Sequence, residues 1–127
     1  KPGMTAWVAL EFGPDLTPGK KVFVSAATGG VGLIVGQLAK MRGCHVVGSV
    51  GKNKEKDLLK DYFKFDEAFN HEVGDNYDEP LKSYFPEGID IYFDNFGVSR
   101  MLDSVLNLIK DHARIVICGM TCQYNNK

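Results

Sequence analysis

The period of hydrophobic and polar positions changes repeatedly along the chain, and each change marks an element. A turn-rich entry containing Pro14, Pro18 and Gly19 leads into Val22-Phe23-Val24-Ser25-Ala26, a β-branched and aromatic run that reads as a buried strand. Beyond it the period becomes helical. Val31, Ile34, Val35, Leu38 and Ala39 recur on one face, and Arg42-Gly43 closes the helix with a cation and a glycine stop. Residues 45–50 predict a second strand, and residues 54–62 a charged helix with Leu58 and Leu59 turned inward. Then follow a short strand over 67–70, a short helix over 79–85 after an Asp-, Gly- and Asn-rich loop, and a strand over 89–94. A helix over 100–109 presents Met101, Val105, Leu108 and Ile109 on one side, and 114–119 is a fifth strand. Strands alternating with helices of about ten residues imply right-handed crossovers and a parallel sheet covered on both faces. The aromatic side chains of Tyr62, Tyr84, Tyr92, Phe63, Phe65, Phe85 and Phe93 are expected in packing, and His112 in a surface turn.

Composition narrows the class. The chain has 127 residues, 44% hydrophobic and 24% charged, with 15 basic against 16 acidic side chains. That is the profile of one folded domain, and it offers no basic excess for a phosphate backbone, so nucleic acid is not an expected partner. No run approaches the roughly 18 apolar residues of a membrane span. Cys44, Cys118 and Cys122 lack the spacing of a zinc site and read as reduced thiols, which fits a cytoplasmic protein and no bound metal. The chain opens on Lys1-Pro2-Gly3 and ends on Asn125-Asn126-Lys127, and the expectation is a piece of a longer enzyme, with residues 1–127 forming one domain.

The candidate chemistry lies where strand gives way to helix. Ala27-x-Gly29-x-x-Gly32 follows the first strand and opens the first helix, the place of a dinucleotide fingerprint. There one residue makes a tight turn, one lets the pyrophosphate reach the backbone, and one lets helix and strand pack closely. The helix N-terminus adds free N–H groups and a partial positive charge. Strand, loop and helix together give the fold class: α/β, a Rossmann-type doubly wound parallel sheet of about five strands with helices on both faces. An enzyme preferring NAD carries an acid about 20 residues further on. Here that offset reaches Ser49, followed by Lys52, Lys54 and Lys56, so a 2′-phosphate and NADP(H) are favoured. The three lysines equally suit a solvated helix start. No P-loop, nucleophile elbow or Tyr-x-x-x-Lys pair stands in a workable place.

Several blocks together resemble one family. Gly3-Met4-Thr5-Ala6-Trp7, Val24 to Gly32, Gly36-Gln37-Leu38-Ala39-Lys40, Gly43 to Ser49, Phe65 to Asn70, Asp90 to Asn95 and Cys118-Gly119-Met120 are similar to the zinc-free medium-chain reductases. Within them the resemblance is to the NADP-dependent alkenal double-bond reductases of plants and the related prostaglandin reductases. It covers nearly the whole chain.

The resemblance implies an enzyme that reduces the carbon–carbon double bond of α,β-unsaturated aldehydes and ketones with NADPH, this chain being its cofactor domain and inactive by itself. It assigns Gly29, Gly30, Val31 and Gly32 to the pyrophosphate. An ungapped count places Glu55 at the family's 2′-phosphate lysine, leaving Lys54 or Lys56 as candidates. His71 stands where the family has a phosphate-side tyrosine. Asn95 matches an asparagine near the nicotinamide ribose, although it also suits a plain strand end. Cys118, Gly119 and Met120 run along the nicotinamide, and Tyr124 matches a tyrosine that stabilises the enolate or feeds it a proton. Two alternatives stay open: a quinone oxidoreductase of the same superfamily, and a nucleotide-sensing module without catalysis. An unpaired outer strand would also leave an edge through which two copies could pair.

Overall fold

A computed structural model describes residues 13–28, 30–72, 76–117 and 120–123. After a 3-10 turn at Gly13–Asp15 come β1 (Lys21–Ser25), α1 (Gly30–Met41), β2 (His45–Val50), α2 (Asn53–Asp61) and β3 (Glu67–Asn70). The chain continues through α3 (Asp78–Tyr84), β4 (Ile89–Asp94), α4 (Ser99–Leu106), β5 (Ile109–Ile117) and β6 (Met120–Gln123). The strands lie in the order β3-β2-β1-β4-β5-β6. The first five are parallel, and β6 turns back antiparallel to β5.

Because successive side chains of a strand point to opposite faces, the central strands feed two cores. Val22, Val24, Val46, Ile91 and Phe93 pack with Val35 and Ala39 of α1 and Leu59 of α2. Phe23, Val47 and Tyr92 face the other way, onto Leu81 of α3 and Met101 and Val105 of α4. The doubly wound parallel sheet is therefore present, with one extra antiparallel strand.

Four local expectations are corrected. Leu59 is fully buried but its neighbour Leu58, about 100° further round the helix, is 44% exposed and lies outside the inward face of α2. The last helix stops at Leu106, so Leu108 lies in a turn and Ile109 already starts β5. That strand pairs Ile89 with Ile109 and then Ile91 with Arg114, the surplus residues forming an irregularity in which His112 adopts a φ of 67°. His112 is exposed, as expected, but stands in a strand irregularity and not in a turn. Tyr62 is 73% exposed and meets the ring of Phe63 edge-on.

One contact explains how closely the first two helices approach the sheet. The ring of Phe65 lies where side chains of Gly36 and Gly48 would be: a Cβ on Gly36 would come within 2.1 Å of its Cζ, and one on Gly48 within 3.0 Å of its Cε2. The next residue, Asp66, ties the end of α1 to the start of β2. Its Oδ2 accepts from Lys40 Nζ at 2.9 Å and from Val46 N at 2.8 Å. Burial pushes the Asp66 carboxyl upward, but the Val46 N–H and the Lys40 ammonium outweigh it and hold the group below the usual carboxylate range.

Candidate functional site: a crevice at the switch point

The strand order reverses beside β1, with β2 on one side and β4 on the other. In open α/β sheets, ligands occupy the crevice beyond the carboxyl ends of the strands at such a point. Here the turn from β1 into α1 forms its floor. Gly32 is buried, and a Cβ on it would lie 2.9 Å from Asn95 Nδ2, 3.0 Å from the Ala27 carbonyl oxygen and 3.1 Å from Ala27 Cα. Only glycine lets α1 sit this close to the turn, the role expected of the fingerprint's last glycine. Gly30 opens α1 with nothing within 4 Å of its Cβ position, so the approach to the backbone is open. The first-turn N–H groups have no partner within the helix. Val31 packs partly buried against the core, and Gly29 lies outside the described residues.

Two serine hydroxyls, both fully buried, organise the strand ends. At the end of β1, Ser25 Oγ accepts from Asn95 N at 3.0 Å, Phe96 N at 3.3 Å and Tyr92 Oη at 3.3 Å, and lies 3.1 Å from Asp94 Oδ1. That carboxylate oxygen also accepts from Phe96 N and Gly97 N at 2.9 Å. The turn carrying Asn95 is thereby fixed from below. Burial and the neighbouring Asp94 raise the Tyr92 phenol far above its ordinary range, against the smaller opposing effect of its Ser25 bond. Tyr92 therefore stays a neutral donor.

At the end of β2, Ser49 Oγ accepts from Ala26 N at 3.0 Å and lies 2.9 Å from His71 Nδ1, while Ser49 O accepts from Ala27 N at 2.8 Å. Both amides of the turn thus bind one residue, and they hold Ala26 at a φ of 48°, a left-handed conformation unusual for alanine. His71 is buried, stacks on Phe96 with ring centroids 3.9 Å apart, and receives a bond at its carbonyl from Tyr77 Oη. Burial lowers the imidazole's proton affinity, outweighing the opposite pull of Glu72 and Glu55.

These positions sort the expected site residues. Ser49, expected beside the 2′-phosphate, has its hydroxyl fully buried and bonded to Ala26 N and His71 Nδ1, where it shapes the turn. Lys52 provides the N-cap position of α2, its carbonyl accepting from Glu55 N and Lys56 N. Lys52 and Lys54 are exposed and Lys56 half-buried, and none of the three enters an ion pair among the described residues. Asn95 is exposed, with its amide against Gly32 and the top of α1. Met120 starts β6 opposite Ile117. Cys118, Gly119 and Tyr124 lie outside the described residues. Ser25, Asp94 and Phe96 were not expected in the site. A lone polar residue closing an apolar strand was the one signal for Ser25 and Asp94, and Phe96 had none. Among the described residues, no group of three His, Cys, Asp or Glu side chains could hold a metal ion, and no helix is long and apolar enough to cross a membrane.

Sheet order, glycine turn and crevice define a dinucleotide-binding α/β domain. Residues 30–127 match the family described as zinc-binding dehydrogenase, and the chain belongs to it. It is 52% identical over 126 residues to (+)-pulegone reductase of Mentha piperita, covering 99% of this chain and 36% of that protein. It is 53% identical over 124 residues to the NADP(+)-dependent 2-alkenal reductase of Nicotiana tabacum, covering 98% of this chain and 36% of that one. Among solved structures, CurA of Vibrio vulnificus in complex with NADPH superposes with a TM-score of 0.81 at 38% identity, over 94% of this chain and 35% of that one. The chain thus spans about a third of the length of these relatives.

Proposed function

We propose that the chain is the NADP(H)-binding domain of an oxidoreductase that reduces the carbon–carbon double bond of α,β-unsaturated aldehydes and ketones. The observation that carries this reading is Gly32, flush against Ala27 and Asn95 beneath an open helix start. The residues present fit the cofactor: the turn of Gly29, Gly30, Val31 and Gly32 receives the pyrophosphate, and β2 ends without an acid that would repel a 2′-phosphate. Lys52, Lys54 and Lys56 supply that phosphate's positive surroundings, with His71 on the same flank. Asn95 and the Cys118, Gly119 and Met120 segment border the nicotinamide. When bound, the reduced cofactor supplies hydride to the substrate β-carbon. Tyr124 would hold a proton at its hydroxyl near the developing enolate. The likeness in sequence to enone and alkenal reductases supports this substrate class over quinones, whose reductases resemble the chain more distantly. A cytoplasmic location and pairing of two copies along the β6 edge belong to the same reading.

Titration of the chain with NADP+ and NAD+ at two salt concentrations tests it. Tight, salt-sensitive binding of NADP+ with much weaker NAD+ supports the assignment. Equal affinities would overturn the 2′-phosphate reading, and no binding by a folded chain would overturn the cofactor reading. In the whole enzyme, Tyr124→Phe should lower turnover of an enal with little change in NADP+ affinity.

A further inference from the structure

We propose that His71 is a positioning residue that secures the dinucleotide turn only while its Nδ1 carries no proton, so that cofactor uptake weakens as the solution is acidified. The inference rests on the cofactor reading above. Its basis is the hydrogen-bond polarity of a closed chain of three groups. Ser49 Oγ is enclosed and has two partners, the Ala26 N–H and His71 Nδ1. Its oxygen already accepts from Ala26, so its single hydrogen has one acceptor within reach among the described residues, the imidazole Nδ1. Were Nδ1 protonated instead, two donors would converge on the oxygen and the hydroxyl hydrogen would be left unpaired in a dry site. The neutral ring therefore carries its proton on Nε2, which lies 3.7 Å from Glu72 Oε2 and equally close to the Cβ position of Gly51 on the crevice side.

A second proton must go to Nδ1. It would turn the Ser49 hydroxyl away and weaken its hold on the Ala26 amide, whose left-handed φ needs that hold. The ring also stacks on Phe96, so the turn bearing Asn95 feels the same event from the other flank. The charged groups facing the imidazole are Glu72 beside it and Glu55 from α2, while Tyr77 bonds the residue's backbone carbonyl. The two carboxylates favour the charged ring and burial opposes it, with burial the larger effect.

Nitrogen-15 NMR of the imidazole in the chain at pH 7.5 reads the tautomer directly. A protonated Nε2 and a bare Nδ1 are expected; the reverse tautomer would overturn the proposal. Calorimetric titration with acid-stable NADP+ between pH 7.5 and 5.5 then compares the wild type with His71→Asn, whose amide oxygen can accept from Ser49 without titrating. The ligand's own phosphate, with a pKa near 6, affects both proteins alike. Wild-type affinity should fall about fivefold more than that of the variant. Identical profiles would overturn the proposal. Should His71→Asn not fold, Ser49→Ala serves in its place, its expected profile being as flat. If NADP+ does not bind even at pH 7.5, the cofactor reading and the uptake clause fall together, while the tautomer still decides the polarity of the strut.

Discussion

The two flanks of the crevice are built on the same plan with different chemistry. Each ends a strand in a fully buried serine whose oxygen gathers backbone N–H groups from the adjoining turn. On the β4 flank the serine's partner is the carboxylate of Asp94, an acceptor that also holds Phe96 N and Gly97 N. On the β2 flank the partner is an imidazole, whose capacity to accept disappears on protonation. A carboxyl group keeps an oxygen able to accept whether or not it carries a proton. Where a turn is anchored by histidine, its geometry becomes conditional.

The largest expected effect strikes both flanks together. Gly32→Val forces a side chain against Ala27 backbone and Asn95, and should cost about 3 kcal/mol in urea denaturation, with NADP+ binding lost in titration. Ser25→Ala removes one partner of the buried Tyr92 hydroxyl and releases Asn95 N, for an expected loss of about 2 kcal/mol. Ser49→Ala should cost less, about 1 kcal/mol, because its hydroxyl holds one backbone N–H where that of Ser25 holds two. An equal loss for the two serine variants would break the comparison.

The pH dependence sharpens it further. The folded-state proton affinity of His71 lies below its ordinary value of 6.5, so the unfolded chain binds the proton more readily. Stability from this residue is therefore complete above pH 6.5 and declines as pH falls toward the folded value. The urea midpoint of the wild type should drop across that window, that of Ser25→Ala should drop in parallel, and that of His71→Asn should stay level. Asp66 acts in a separate window: its contribution is present above the ordinary carboxyl value of 3.8 and is lost only as pH falls through its lower folded value. The smallest effects belong to Lys52→Gln and Lys54→Gln, which should leave stability within about 0.5 kcal/mol while reducing both NADP+ affinity and its salt sensitivity.

The strands over 45–50, 67–70 and 89–94 were legible to the residue, because β-branched and aromatic runs there are bracketed by polar or glycine residues. The fifth strand was not. Its first half, Ile109 to His112, is polar after a residue that also continues the apolar side of the preceding helix, and its irregular pairing follows no period of two. The glycine turn could be read because its geometry excludes side chains. Ser49 could be placed at the end of the second strand, but its partner His71 is 22 residues away, and no local spacing reports a bond formed across two strand ends. Ser25 escaped for the same reason, its partners lying about 70 residues further on, among them Asn95 N.

Phe65 and the two glycines it covers have a bearing on how this sequence can change. The ring occupies the space that a side chain at residue 36 would need, and at residue 48 it shares that space with Ala27 Cβ and Leu59 Cδ1, each 2.9 Å from the Cβ position. A larger residue at 36 becomes tolerable only once residue 65 is smaller, and shrinking residue 65 first opens a cavity between sheet and helices. Residue 48 stays closed even then. Positions 36 and 65 form a mutational trap, open only to simultaneous change.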